Sequence, residues 1–428
     1  YTPPTDATGT VYYRRITNIT SGSETCFAAS SVVSVTVTDV LGGVQATPSQ
    51  TVCSGSPVTD LTITGGSGLA GEAYQWQMSR TDTASNSFTN LSGVTGAVYT
   101  PSNTQTGTTY YRRVTSVTGS SCVAYSDAAT VIIVDFTPGV IASNETLCYN
   151  GNASSITAST PASVIGGTEA ISYTWQQKIG AGAWSTAVGT SNGSTYSPGT
   201  LTQTTKYRRV VSIASCTATK TTNEITKTVL DELVAGTADT TTQTVCLNDT
   251  RPTLTITGGS GSTTYQWQSS STSGTDFTNI SGATTSSYQA PTGVAGTTYY
   301  RRLITQSQGG ANCDATSTEF EVVVAAINAG SISGAATVCY NGDGGTIGST
   351  LDASLGTDVI SYTWQKSINA GGDWMVVSGQ TSTTIAVGTL TQTSLFRRVA
   401  LGTTCTVTAT TSAVQITVVP EVLGGTAS

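Results

Sequence analysis

Nine cysteines, five double arginines and six tryptophans are the residues of this sequence whose types and spacing can do chemistry. Cysteines can cross-link, ligate metal or attack as thiolates. Arginine pairs can clamp carboxylates, phosphates or acidic sugars. Exposed tryptophans can stack on sugar rings. Histidine is absent. That removes the Ser-His-Asp triad, the Cys-His pair, His-ligated zinc or haem and an imidazole pH switch. Carboxylates are scattered. Asp231 and Glu232 are adjacent, so on a strand they point apart, and no Asp-x-Asp-x-Asp calcium loop occurs. The Gly-Gly-Ser-Gly stretch at 65–68 lies between strand-like segments and reads as a turn, not a phosphate loop. We expect no enzyme activity, no metal and no cofactor.

The spacing of these residues is periodic. A double arginine recurs at Arg14-Arg15, Arg112-Arg113, Arg208-Arg209, Arg301-Arg302 and Arg397-Arg398, about every 96 residues. Tyr-x-Trp-Gln recurs around Trp76, Trp175, Trp267 and Trp364. Cysteines bracket each tryptophan and double arginine: Cys53 and Cys122, Cys148 and Cys216, Cys246 and Cys313, Cys339 and Cys405. The ninth, Cys26, follows Arg15 much as Cys122 follows Arg113, so it reads as the second cysteine of a unit cut through by the start of the sequence. Val422-Leu423-Gly424-Gly425 repeats Val40-Leu41-Gly42-Gly43, where the first full unit begins. The expected organisation is a partial unit at 1–38, full units at 39–135, 136–230, 231–325 and 326–419, and the start of a further unit at 420–428. The units come in two flavours. Leu-Thr-Ile-Thr-Gly-Gly-Ser-Gly marks the first and third full units (61–68 and 254–261), and Cys-Tyr-Asn-Gly the second and fourth (148–151 and 339–342).

The elements that must position these residues are short strands. The chain is rich in Thr, Val, Ile and Tyr, with 46 glycines and 10% charged residues, and no stretch shows sustained helical periodicity. In the first full unit, Val58–Thr64, Ala73–Met78, Ser87–Leu91, Ala97–Tyr99, Thr108–Val117 and Ala128–Val134 read as strands separated by Gly, Ser and Pro turns. About seven strands in under 100 residues predict an all-β fold: a tandem array of immunoglobulin-like β-sandwiches of about 96 residues each. We expect Trp76, Trp175, Trp267 and Trp364 to be the core tryptophans. Trp184 and Trp374 take the place that Phe88 and Phe277 hold in the other flavour, which leaves no surplus aromatics for a sugar platform. One arginine of each pair is expected along the core edge, stacked on an aromatic ring. One disulfide is expected within each domain, in the four pairs named above, with Cys26 left over. Disulfides imply an oxidising, extracellular setting. Short connections between units predict a stiff rod. The net charge of −7 argues against nucleic acid, and no apolar run is long enough for membrane insertion by a helix.

The run Cys-Ser-Gly, Leu-Thr-Ile-Thr-Gly-Gly, Tyr-Gln-Trp-Gln, Tyr-Thr-Pro, Tyr-Tyr-Arg-Arg-Val-Thr, Cys resembles the immunoglobulin-like repeats of large Bacteroidota cell-surface proteins. Proteins of that kind include the giant adhesins of flavobacterial gliding motility, exported by the type IX secretion system. The resemblance implies a structural stalk of a very large extracellular adhesin, one that presents an adhesive tip and transmits force at the cell surface. It implies, as partners, neighbouring repeats of the same chain, outer-membrane motility or secretion machinery, and surface polysaccharide. It also gives weight to Thr83 and Thr240, in Asp-Thr-Ala and Asp-Thr-Thr, as candidate O-glycosylation acceptors. The alternatives are the subunit of a homopolymeric extracellular filament or sheath, and a non-catalytic spacer of a secreted polysaccharide-degrading enzyme.

Overall fold

The computed structural model describes residues 1–260, 264–356, 358–422 and 424–425. Gly261 and Leu423, which belong to the repeat motifs above, lie outside the described residues. The chain divides into two compact units, Tyr1–Leu230 and Asp231–Ser428. Among the described residues, everything regular is β-strand apart from one 3-10 turn at Ser85–Ser87.

The repeat that begins near residue 42 shows the plan. Its larger sheet runs Ser49–Cys53, Ala129–Thr137, Gly107–Val117, Glu72–Ser79, Thr89–Asn90, and its smaller one Val44–Gln45, Leu61–Thr64, Val98–Tyr99. The first strand of the larger sheet lies parallel to the last strand of the repeat, whereas the other pairs are antiparallel. That pairing of chain ends is the immunoglobulin-like feature. The order recurs as Glu145–Leu147, Ile225–Val229, Thr205–Ile213, Ile171–Ile179, Ser185–Thr186 in the second repeat. In the third it is Gln243–Cys246, Phe320–Ala325, Gly296–Gln308, Thr264–Ser270, Thr278–Asn279, and in the fourth Ala336–Cys339, Val414–Val419, Ser394–Gly402, Ile360–Ser367, Met375–Val377. Residues 1–38 supply only Gly9–Tyr13 paired with Val33–Val37, and a hairpin of Ile16–Ser21 with Glu24–Ala29.

Alternation along the arginine strand decides which face is core. Tyr111, Arg113 and Thr115 share the face that meets Trp76, and Arg113 lies opposite Trp76 in the register. Trp76, Trp175, Trp267 and Trp364 are all fully buried, and each indole Nε1 donates at 2.9 Å to a backbone oxygen (Gly96, Gly193, Thr285 and Ser382). Around Trp76 the core holds Leu61, Tyr111, Ala129, Val131 and Ile133. Just past the first cysteine the chain turns through a left-handed residue in every repeat: Gly55, Asn150, Asn248 and Asn341, with φ of 83°, 59°, 63° and 62°. Glycine and asparagine tolerate that conformation best.

The disulfides differ from expectation. Cys53 is bonded to Cys216 and Cys246 to Cys405, 163 and 159 residues apart, so each cystine joins two successive repeats. Cys148 and Cys313 are disulfide-bonded as well. Cys122 and Cys339, expected in pairs, are free and exposed, as is Cys26. The reason is strand direction. Cys53 lies opposite Val134, at the end of the sandwich where Gly107 begins the arginine strand. Cys122 follows Val117 at the far end of that strand. The strand's 11 residues put roughly 30 Å between the two ends. A disulfide needs Cα atoms within about 7 Å.

Candidate functional site: cross-linked joints between repeats

Among the described residues there is no cluster of three or more Cys, Asp or Glu side chains suited to a metal. The recurring residues converge instead on the cores and on the places where one repeat meets the next.

The joint inside the first unit is built from the last strand of one repeat. Ala129–Thr137 runs past its own sandwich, and Asp135, Phe136 and Thr137 pair with Ile165, Val164 and Ser163 of the next. Val134, Phe136, Val211, Ile213 and Cys216 form a buried cluster, flanked by Cys53, Ala162, Val164, Ile171 and Tyr173. Val134 and Val211 are fully buried and Phe136 nearly so. Burying each such side chain contributes about 1.5–3 kcal/mol. The cystine Cys53–Cys216 closes over this cluster with a Cα–Cα distance of 5.0 Å. Lys220 of the second repeat reaches back, with Nζ 2.7 Å from Asp135 Oδ1 and 2.8 Å from Phe136 O. Its hydrogen bond, working against burial, holds the Asp135 carboxyl below its usual range. Gly166 packs so closely that a Cβ there would lie 2.4 Å from Ile133 O and 2.5 Å from Gly107 N.

The joint inside the second unit uses the same cystine position, Cys246–Cys405, with Cα atoms 5.4 Å apart. Its second cysteine sits on a turn held by Asp358. That carboxylate accepts hydrogen bonds from Thr404 N and Oγ1, Thr403 Oγ1 and Cys405 N. Burial pushes its pKa up, but these donors outweigh it and bring the value down to about 2. In the first unit the corresponding turn is held by Glu169, which accepts hydrogen bonds from Ser215 N and Oγ beside Cys216.

In the four full repeats both arginines of the pair are structural, one more than expected, whereas Arg14 and Arg15 are exposed. The first stacks on the aromatic that follows the core tryptophan: Arg112 on Phe88, Arg208 on Trp184, Arg301 on Phe277 and Arg397 on Trp374, at 4.0–4.2 Å. Its Nε donates to the glutamine that follows the core tryptophan and lies opposite the arginine in the register, namely Gln77, Gln176, Gln268 and Gln365. The second arginine is the buried one. Arg113, Arg209, Arg302 and Arg398 lie over Tyr74, Tyr173, Tyr265 and Tyr362. The last three also donate from Nη2 to Pro138, Ala235 and Ala329, backbone oxygens of the segment that enters the repeat. Trp184 and Trp374, and Phe88 and Phe277 in the other flavour, are thus taken up in guanidinium stacking.

One buried pair escaped the sequence reading. Lys227 is fully buried, with Nζ 2.7 Å from Glu145 Oε2 and 2.9 Å from Ser154 Oγ. The register puts Val131 opposite Gln50, Val322 opposite Gln243 and Ile416 opposite Ala336 where the second repeat has Lys227 opposite Glu145. Aligning the last strands of the four repeats would have exposed it. Burial pushes the Glu145 carboxyl up, and the bonds from Lys227 and Ser154 more than reverse this. Thr83 and Thr240 are both exposed, next to Asp82 and Asp239, whose carboxylates accept from the backbone two residues on.

Four successive stretches, 42–135, 137–231, 234–326 and 328–420, match the family described as Domain of unknown function (DUF8696). The chain belongs to the DUF8696 family. Among curated proteins, none matches it in sequence. Solved structures similar to this DUF8696 chain include the three N-terminal domains of the highly immunogenic outer capsid protein (Hoc) of bacteriophage RB49. That match has 12% identity, covers 67% of this chain and 99% of that one, and has a TM-score of 0.34. The insect immune protein hemolin matches at 12% identity over 88% of this chain and 99% of its own, with a TM-score of 0.24. Immunoglobulin domains 1–5 of Sidekick-1 match at 12% over 92% and 84%, with a TM-score of 0.23. No helix among the described residues is long and apolar enough to cross a membrane. Its cystines fit an extracellular or secreted protein.

Proposed function

We propose that this chain is a load-bearing stretch of the stalk of a very large extracellular adhesin. The observation that supports it most is the covalent joint: a cystine from the first strand of one repeat's larger sheet to the turn after the arginine strand of the next. A hinge between freely moving domains needs no such bond. A stalk that must pass force from tip to anchor gains from it, because the load crosses the joint through covalent bonds and a buried apolar cluster. The resemblance to Bacteroidota surface repeats extends the reading: export by the type IX system, a place at the cell surface, motility or secretion machinery and surface polysaccharide as partners, and a role in gliding or attachment. The test is the length of the native polypeptide. On a denaturing, reducing gel the parent protein should run at several hundred kilodaltons. A band no larger than the four repeats of this chain would overturn the adhesin and favour a filament subunit.

A further inference from the structure

In the second repeat the register sets Lys178 directly opposite Lys206, on the face of the larger sheet turned away from buried Trp175. Like charges that face each other across a strand pair, with Cβ atoms about 5 Å apart, are destabilising. Arg208 stands two residues along from Lys206 on the same face, bonded to Gln176 and stacked at 4.2 Å on the half-buried Trp184. One carboxylate answers the three cations: Glu224 Oε2 lies 3.5 Å from Lys206 Nζ, with both side chains nearly half exposed. Among the described residues neither Lys178 nor Arg208 has an ion-pair partner. The sandwich itself has no use for the lysine pair. The same place holds Ser79 opposite Tyr110, Ser270 opposite Tyr299 and Ser367 opposite Leu395 in the other repeats. Around the cations the face offers exposed, neutral hydroxyls on Ser172, Thr174 and Thr186.

We propose that this face binds an acidic polysaccharide, with a carboxylate or sulfate group of the polymer seated between the Lys178 and Lys206 ammonium groups and Arg208 beside them as the third cation. An anion at that place removes the repulsion between the lysines and gains charge-assisted hydrogen bonds from them. A sheet face accepts an extended polymer, and its serine and threonine hydroxyls meet the neutral ring hydroxyls between acidic groups. A nucleic acid is the poorer occupant. Its duplex brings a charge about every 1.7 Å, and this chain sets three cations here against a net charge of −7. The proposal rests on the polysaccharide contact named above, whereas the stalk reading stands or falls separately, on polypeptide length.

The test is calorimetric titration of the full chain with alginate, with dextran sulfate and with neutral dextran. Binding of at least one acidic polymer and none of dextran is expected, and the polymer that binds tells whether carboxylate or sulfate is seated. Lys178→Ser combined with Lys206→Tyr installs the residues of the first repeat. That double variant should bind at least about tenfold more weakly, the worth of one charge-assisted hydrogen bond, with its thermal midpoint unchanged or raised. Arg251→Ser, which removes an exposed cation of the third repeat, should bind as the parent does. No binding of either acidic polymer, equal losses in the two variants, or tighter binding of duplex DNA than of both polymers would overturn the proposal. So would a fall in the double variant's thermal midpoint, since the pair would then be structural.

Discussion

A buried guanidinium is costly where its donors lack acceptors; here the terminal Nη groups find theirs in the chain they must hold, while the buried Nε has none. Arg209 gives one donor to Ser194 O and another to Pro138 O, and its plane to Tyr173. Replacing Arg209 with Lys keeps the charge but loses the planar fork. The expected cost is about 2–3 kcal/mol, read from a denaturant midpoint shift with unchanged slope. The Lys227–Glu145 pair behaves differently. Lys227→Ile alone leaves a carboxylate facing an apolar wall and should cost about 3–5 kcal/mol. Joined with Glu145→Ala, which recreates the Ile416–Ala336 pair of the fourth repeat, it should be neutral or stabilising. Equal destabilisation by the single and double variants would refute this account of the pair. Buried tyrosines set an alkaline limit. Burial, with smaller effects from neighbouring tyrosines, pushes Tyr111 and Tyr207 up to about 12. The folded pKa lies above the unfolded value near 10, so the stability these groups contribute is complete below pH 10 and is lost as pH rises toward about 12. An absorbance titration should show both phenols ionising only as the fold opens.

At the scale of elements, the joint in the first unit depends on one strand serving two sandwiches, and on a glycine that lets the second approach the first. Gly166 has φ of 84° and no room for a Cβ. Gly189 has a similar φ of 82° in open space. Gly166→Ala should therefore cost about 2–3 kcal/mol and strip hydrogen-exchange protection from residues 135–137 and 163–165. Gly189→Ala should cost about 1 kcal/mol and leave the joint protected. Similar effects from the two would mean the close approach is unimportant. The strands themselves were legible in the sequence. Expected Thr108–Val117 is Gly107–Val117, and expected Ala73–Met78 is Glu72–Ser79, because alternation and turn residues are local signals. The face carrying Arg113 was not legible, since alternation defines two faces and only packing against Trp76 chooses between them. The shared strand was missed for a related reason: Asp135-Phe136-Thr137 looks like a link until a partner is known for it.

Over the whole molecule, spacing along the chain revealed the repeats but pointed to the wrong cysteine partners. The two cysteines of one repeat, such as Cys53 and Cys122, sit at opposite ends of its sandwich, and the true partners lie 163 and 159 residues apart, where only strand direction places them. The consequence is mechanical. When the oxidised chain is pulled from its ends, residues between Cys53 and Cys216, and between Cys246 and Cys405, cannot extend even when unfolded. Reduction should release roughly 550 Å of contour for each of these cystines in single-molecule stretching, at ~3.4 Å per residue. Disulfides confined to single repeats would release less than half as much apiece. The central claim, that cystines join successive repeats, is tested most directly by mapping disulfides in the native, unreduced protein by proteolysis and mass spectrometry. The account predicts a peptide pair linking Cys53 to Cys216 and another linking Cys246 to Cys405. Peptides linking Cys53 to Cys122, or Cys339 to Cys405, would contradict it.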